Sequence, residues 1–73
     1  MVRIYADINN RDEKRRVRLN TVGAERDIAS AQEPLEPGKR VMLYMDDEFE
    51  VEATLEFEKI WLGCPDWSTL RYY

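Results

Sequence analysis

The sequence predicts an all-β domain, a single unit over residues 1–73 that curls into a small barrel of five to six short antiparallel strands. Two observations carry this. The stretch from Phe49 to Glu58 alternates apolar and polar residues without a break. Successive side chains on a strand point to opposite faces, so Phe49, Val51, Ala53, Leu55 and Phe57 are expected to face a core and the glutamates to face outward. The second is the pair of apolar segments flanking that stretch, 40–45 and 60–64, which set up a three-strand meander. A sheet this small has vulnerable edges, and curling lets the terminal strands cover one another.

The elements follow in chain order. Val2, Ile4, Ala6 and Ile8 alternate with polar residues and predict a first strand; Val17 and Leu19 predict a second. The polar stretch Asn9–Glu13 has turn composition, so the two strands are expected to form a hairpin. Ala24, Ile28 and Ala31 recur at helical spacing, which predicts a short helix over 24–31, the rival being an irregular loop anchored by Ile28. Pro34 stops any helix, and Leu35-Glu36-Pro37-Gly38 reads as a turn. A three-residue loop at Asp46-Asp47-Glu48 sets Met45 opposite Phe49, Leu43 opposite Val51 and Val41 opposite Ala53, all inward. After Glu58-Lys59, pairing Phe57 with Ile60 sets Leu55 against Leu62 and Ala53 against Cys64, again inward against inward. Pro65 ends that strand. Asp66 is placed to cap a helical turn near 66–69, and Leu70–Tyr73 is read as a last short strand.

This layout, with a helical turn before the last strand, resembles the SH3-like barrels. Leu43-Tyr44 followed by acids is similar to the Ala-Leu-Tyr-Asp-Tyr segment of SH3 domains. The paired tryptophans and the Pro-Ser-Asn-Tyr ending of that family are absent, so the resemblance implies a fold and carries over no peptide-groove residue.

Composition bounds the function. The hydrophobic fraction of 44% is that of a folded chain, and no apolar run reaches the length of a membrane span. The N-terminal residues read as a strand rather than a signal peptide, and one cysteine makes no internal disulfide, so a reducing cytoplasm is expected. The net charge of −4 is unevenly placed, with Lys and Arg exceeding Asp and Glu by 9 to 7 over residues 1–40 and falling short by 2 to 8 over 41–73. An acidic chain is repelled by phosphate backbones at long range.

No cofactor or resident metal is expected. Histidine is absent, which removes the usual general base and the commonest metal ligand. The cluster Asp46-Asp47-Glu48 offers oxygens to a hard cation but lacks the ligand number and glycine of a calcium loop. Cys64 falls on the inward parity and reads as an inert buried thiol. Nothing in the pattern splits the pKa values of the strand glutamates as acid–base catalysis requires. The expectation is therefore a non-enzymatic protein-interaction module or accessory subunit. Its candidate face is Met42, Tyr44, Glu50, Glu52, Glu56 and Trp61, an aromatic patch rimmed by acids that suits a basic protein partner. In the rival arrangement the segment 22–34 folds over that face and buries Trp61 through Ile28. A second function is RNA binding by the basic stretch 14–18 and the C-terminal aromatics, with Arg3, Tyr5, Lys14, Arg16 and Arg18 as its face.

Overall fold

The computed structural model describes all 73 residues. Six strands and one helix follow in the order β1 (Arg3–Tyr5), β2 (Val17–Arg18), α1 (Val22–Ala29), β3 (Arg40–Met45), β4 (Phe49–Glu58), β5 (Ile60–Pro65) and β6 (Arg71–Tyr72), with a 3-10 turn at Trp67–Thr69 between the last two strands. They make a mostly β fold with a curled, half-barrel-like mixed sheet of strand order β1-β3-β4-β5-β2. β6 returns to pair with β4, Phe49 opposite Tyr72 and Glu50 opposite Arg71. No helix is long and apolar enough to cross a membrane.

The β3–β4 hairpin has the expected register, with Met45 opposite Phe49, Leu43 opposite Val51 and Val41 opposite Ala53. Its loop closes with Asp47 at φ +61°, a left-handed conformation that aspartate tolerates better than most residues. Val41, Leu43, Val51, Ala53 and Leu55 are fully buried and form the core with Ile4, Ala6, Val17 and Leu19.

Three expectations are corrected. The first two strands do not pair with each other. β1 lies parallel to β3, Ile4 opposite Leu43, whereas β2 joins the far side of the sheet against β5. The reason is local. The residues after β1 fold onto β2 itself, with Arg11 bridged to Val17 and the Arg18 N–H donating to the Asn10 carbonyl. The turn sits at 13–15 rather than 9–13, because the Asp12 carboxylate accepts the Lys14 and Arg16 N–H groups and Arg15 takes φ +64°. β2 thus has a neighbour on each side, and β1 needs another partner.

The β4–β5 register is offset by one residue from expectation. Phe57 pairs with Trp61, Leu55 with Gly63 and Thr54 with Cys64. Lys59 adopts φ +69° and permits the tighter connection. The offset brings Gly63 to the core face, where an added Cβ would stand 3.0 Å from Leu43 Cδ1. Leu43 fills the space that the side chain of a larger residue would need. Trp61 moves with Gly63 to the core face, and Cys64 moves to the outer face.

The third correction is Phe57, expected inside and found 53% exposed at the far end of β4.

The helix is real and begins two residues before the spacing indicated. Thr21 caps it, its Oγ1 accepting the Ala24 N–H at 3.1 Å. Buried Ala24 and half-buried Ile28 turn toward the core. The Asp27 carboxylate accepts the Tyr5 backbone N–H at 2.8 Å and the Tyr44 hydroxyl at 2.7 Å, which ties the helix to the free edge of β1. Gly23 lies against the Tyr5 ring, and a Cβ there would sit 2.9 Å from Tyr5 Cδ1.

Candidate interaction surfaces

The outer face of the sheet carries the glutamates, each paired with an arginine, Glu56 and Glu58 sharing one. Glu50, although 8% exposed, meets Arg3 at 2.9 Å and Arg71 at 3.6 Å. Tyr73 and Arg3 hold the Glu50 carboxyl below the usual carboxylate range. Arg40 spans Glu52 and Asp66. Arg16, with only 12% of its side chain exposed, reaches Asp12 at 2.8 Å, Glu56 at 2.8 Å and Glu58 at 2.9 Å. The charge asymmetry between the chain's halves is thus partly offset across the sheet, which sets Arg3, Arg16 and Arg40 of the first half against acids of the second.

Of the residues expected on an acid-rimmed patch, five share this outer region. Tyr44 lies opposite Glu50 and Met42 opposite Glu52, as the β3–β4 register requires. Glu56 lies opposite Leu62. Tyr44 is engaged from three sides, by the Asp27 carboxylate, the Tyr5 ring at 6.1 Å edge-on, and the Arg3 guanidinium 4.7 Å over its face. The acceptor carboxylate of Asp27 holds the Tyr44 hydroxyl protonated and pushes it up to about 12. Trp61 is not among them. It stands beside Phe57 with ring centres 5.0 Å apart, on the face opposite Glu56.

The basic residues do not form one surface. Arg3 and Tyr5 lie on β1 and Arg16 and Arg18 lie by β2, at opposite ends of the strand order. Arg16 is consumed by three carboxylates, and Arg18 donates to the Asn10 side chain and the Arg11 carbonyl. Lys14 is exposed in the turn beside them.

Cys64 is half-buried on the outer face, where its thiol donates to Glu56 Oε2 at 2.8 Å. Burial and then the Glu56 carboxylate push the thiol up to about 11, so it is a poor nucleophile at neutral pH. No group of three or more metal-ligating side chains is assembled anywhere in the fold.

Two clefts remain, one at each end of β4. The first, of about 280 Å³, lies between α1 and the tip of the β4–β5 hairpin. Ile28, Phe57, Ile60 and Trp61 line it, with Glu25 and Lys59 among its polar residues. Ile28 and Trp61 do come together as the rival arrangement envisaged, but beside the main core rather than over the glutamate face. Sequence reasoning missed Phe57 here. The signal available was its place one residue from the hairpin turn, where a strand has run out of neighbours to cover it. The second cleft, of about 390 Å³, lies at the β3–β4 loop. Its lining includes Asp7, Ile8, Met45, Asp47, Glu48 and Tyr72. No family model, no curated protein and no solved structure matches this chain.

Proposed function

We propose that this chain is a non-enzymatic protein-interaction module on a small SH3-like barrel, working in a reducing cytoplasm and holding its partner in the groove of Ile28, Phe57, Ile60 and Trp61. Phe57 is the observation that carries this reading. Every other apolar residue of β4 is at most 4% exposed, whereas Phe57 is 53% exposed and stacked edge-to-face on a tryptophan. Aromatic anchors in partly desolvated pockets dominate protein interfaces. The partner that fits is a protein segment offering an apolar side chain to the groove. The outer glutamates are set aside as the anchor, because arginines of the same chain already neutralise them.

The test is capture from lysate on the immobilised wild-type chain and on Phe57→Ala. Capture that survives nuclease and falls by a factor of about 30, the equivalent of about 2 kcal/mol, on Phe57→Ala supports the groove. Equal capture by both proteins sinks it. Capture lost on nuclease treatment and on Arg16→Glu with Arg18→Glu would replace the module with an RNA-binding protein.

A further inference from the structure

The cleft at the β3–β4 loop has a composition found nowhere else on the molecule. Phe49, Met45 and Ile8 supply apolar floor, and Tyr72, 74% exposed, supplies an open aromatic face. Asp7, Asp47 and Glu48 supply three carboxylates, and no lysine or arginine belongs to the lining. On the sheet face the acids are paired off by Arg3, Arg16 and Arg40. Asp7, Asp47 and Glu48 make no ion pair at all; the one side-chain bond among them is Asp7 Oδ1 accepting the Asn9 N–H. The cleft therefore joins an uncompensated negative field to an exposed π face and an apolar floor.

We infer that this cleft docks an arginine side chain from an extended segment of a protein partner. A guanidinium meets all three features together. Its charge answers the carboxylates, its planar fork donates two parallel hydrogen bonds to a carboxylate, and its weakly hydrated face stacks on tyrosine. A lysine would satisfy the charge but neither the fork nor the stacking as well. The volume of about 390 Å³ holds one long side chain together with its flanking backbone. The site lies at the opposite end of β4 from the Phe57 groove, so the two can be occupied independently.

The experiment uses the whole chain and a fluorescein-labelled Gly-Arg-Ala-Arg-Gly peptide, followed by anisotropy. The control peptide replaces each arginine with citrulline, which keeps the shape and removes the charge. The arginine peptide is expected to bind at least about tenfold tighter than the citrulline one, and to weaken as salt rises from about 20 to about 150 mM. Asp47→Asn with Glu48→Gln should cost about tenfold in affinity, with unchanged urea midpoint, since Asn keeps the left-handed backbone at 47. Tyr72→Ala should cost a few-fold through the lost stacking. Phe57→Ala should leave this binding unchanged. Equal binding of the two peptides, or no binding at low salt, or wild-type affinity in the Asp47/Glu48 variant, overturns the inference. If Phe57→Ala alone abolishes binding, the peptide occupies the other groove, and the inference fails while the interaction-module reading stands.

Discussion

Removal of the Asp27 carboxylate is expected to release the helix from the sheet. α1 is eight residues long, too short to persist without tertiary support. Beyond Ala24 and Ile28, what holds it is one carboxylate that accepts two hydrogen bonds, from the Tyr5 N–H and the Tyr44 hydroxyl. Hydrogen bonds to a charged group contribute about 1.5–3 kcal/mol each in net terms. Asp27 is half-buried, so water can replace part of what is lost, and Asp27→Ala should cost about 2–3 kcal/mol in all. A chain of this size has about 4–10 kcal/mol to lose. With a urea slope of about 1 kcal/mol per molar, the midpoint should fall by about 2 M.

The assay is a set of urea melts on wild type, Asp27→Ala, Tyr44→Phe and the double variant. Tyr44→Phe removes one of the two bonds and should cost about 1 kcal/mol. The cycle should show coupling between the two positions, because the tyrosine has nothing to donate to once the carboxylate is gone. The same bond has a pH signature. The folded-state pKa of Tyr44 lies near 12, above its ordinary value of 10.0. Its contribution is complete below pH 10 and is lost as pH rises from 10 toward 12, and Tyr44→Phe should remove that part of the alkaline decline. An Asp27→Ala midpoint within about 0.5 M of wild type, or additive single losses, would show that packing alone holds the helix.

The acid limb should show the opposite sign. Glu50, Glu56 and Asp66 have lowered folded-state pKa values, so their stabilisation is present above the ordinary carboxylate range and is lost as pH falls through it; Glu50→Gln should flatten the decline of the urea midpoint below about pH 4.5. Gly23→Ala should destabilise by about 1 kcal/mol in thermal melts even though alanine is the better helix former, because its Cβ would stand 2.9 Å from the Tyr5 ring; a gain in Tm would mean that the ring yields freely. Cys64 should react slowly with a thiol reagent at pH 8, and Glu56→Gln should accelerate it about tenfold by removing the negative charge that disfavours the thiolate; an unchanged rate would assign the slowness to burial alone.

What was legible in the sequence divides along physical lines. β4 and its pairing with β3 could be read because the alternation is unbroken and one loop length alone sets apolar against apolar. The helix could be placed because Ala24 and Ile28 sit one turn apart. The β4–β5 register could not be decided by alternation. Pairing Leu55 with Leu62 looks better than pairing it with Gly63, until the Leu43 side chain is seen to occupy the space over the glycine. The partner of β1 was illegible for a different reason. Ile4 is an inward residue in either a hairpin with β2 or a parallel pair with β3, and the choice rests on Asp12 and Arg15 building their own turn downstream. Alternation places the glutamates on the outer face but leaves open which arginine each one meets, because sequence separation hides cross-strand pairing. Arg16 is forty residues from Glu56 in the chain and 2.8 Å from it in the fold.

Both clefts arise from one property of β4, its length. It has ten residues where its neighbours β3 and β5 have six each. Neither neighbour runs along all of it. β3 pairs with it from Phe49 to Thr54 and β5 from Ala53 to Glu58. The edge that β5 leaves at Ala53 is covered near the start of β4 by the two residues of β6, after the 3-10 turn. Across Ala53 and Thr54 the strand has a partner on both sides, and the inward side chains nearby, Val51, Ala53 and Leu55, are sealed. At its ends an apolar side chain outruns its neighbours, as Phe57 does beside Trp61, or meets a loop of acids, as Phe49 does at Asp47 and Glu48. A ten-residue strand among shorter ones leaves Phe57 beyond its cover at one end, whereas at the other end β3 and β6 bury Phe49 and the open aromatic face is that of Tyr72.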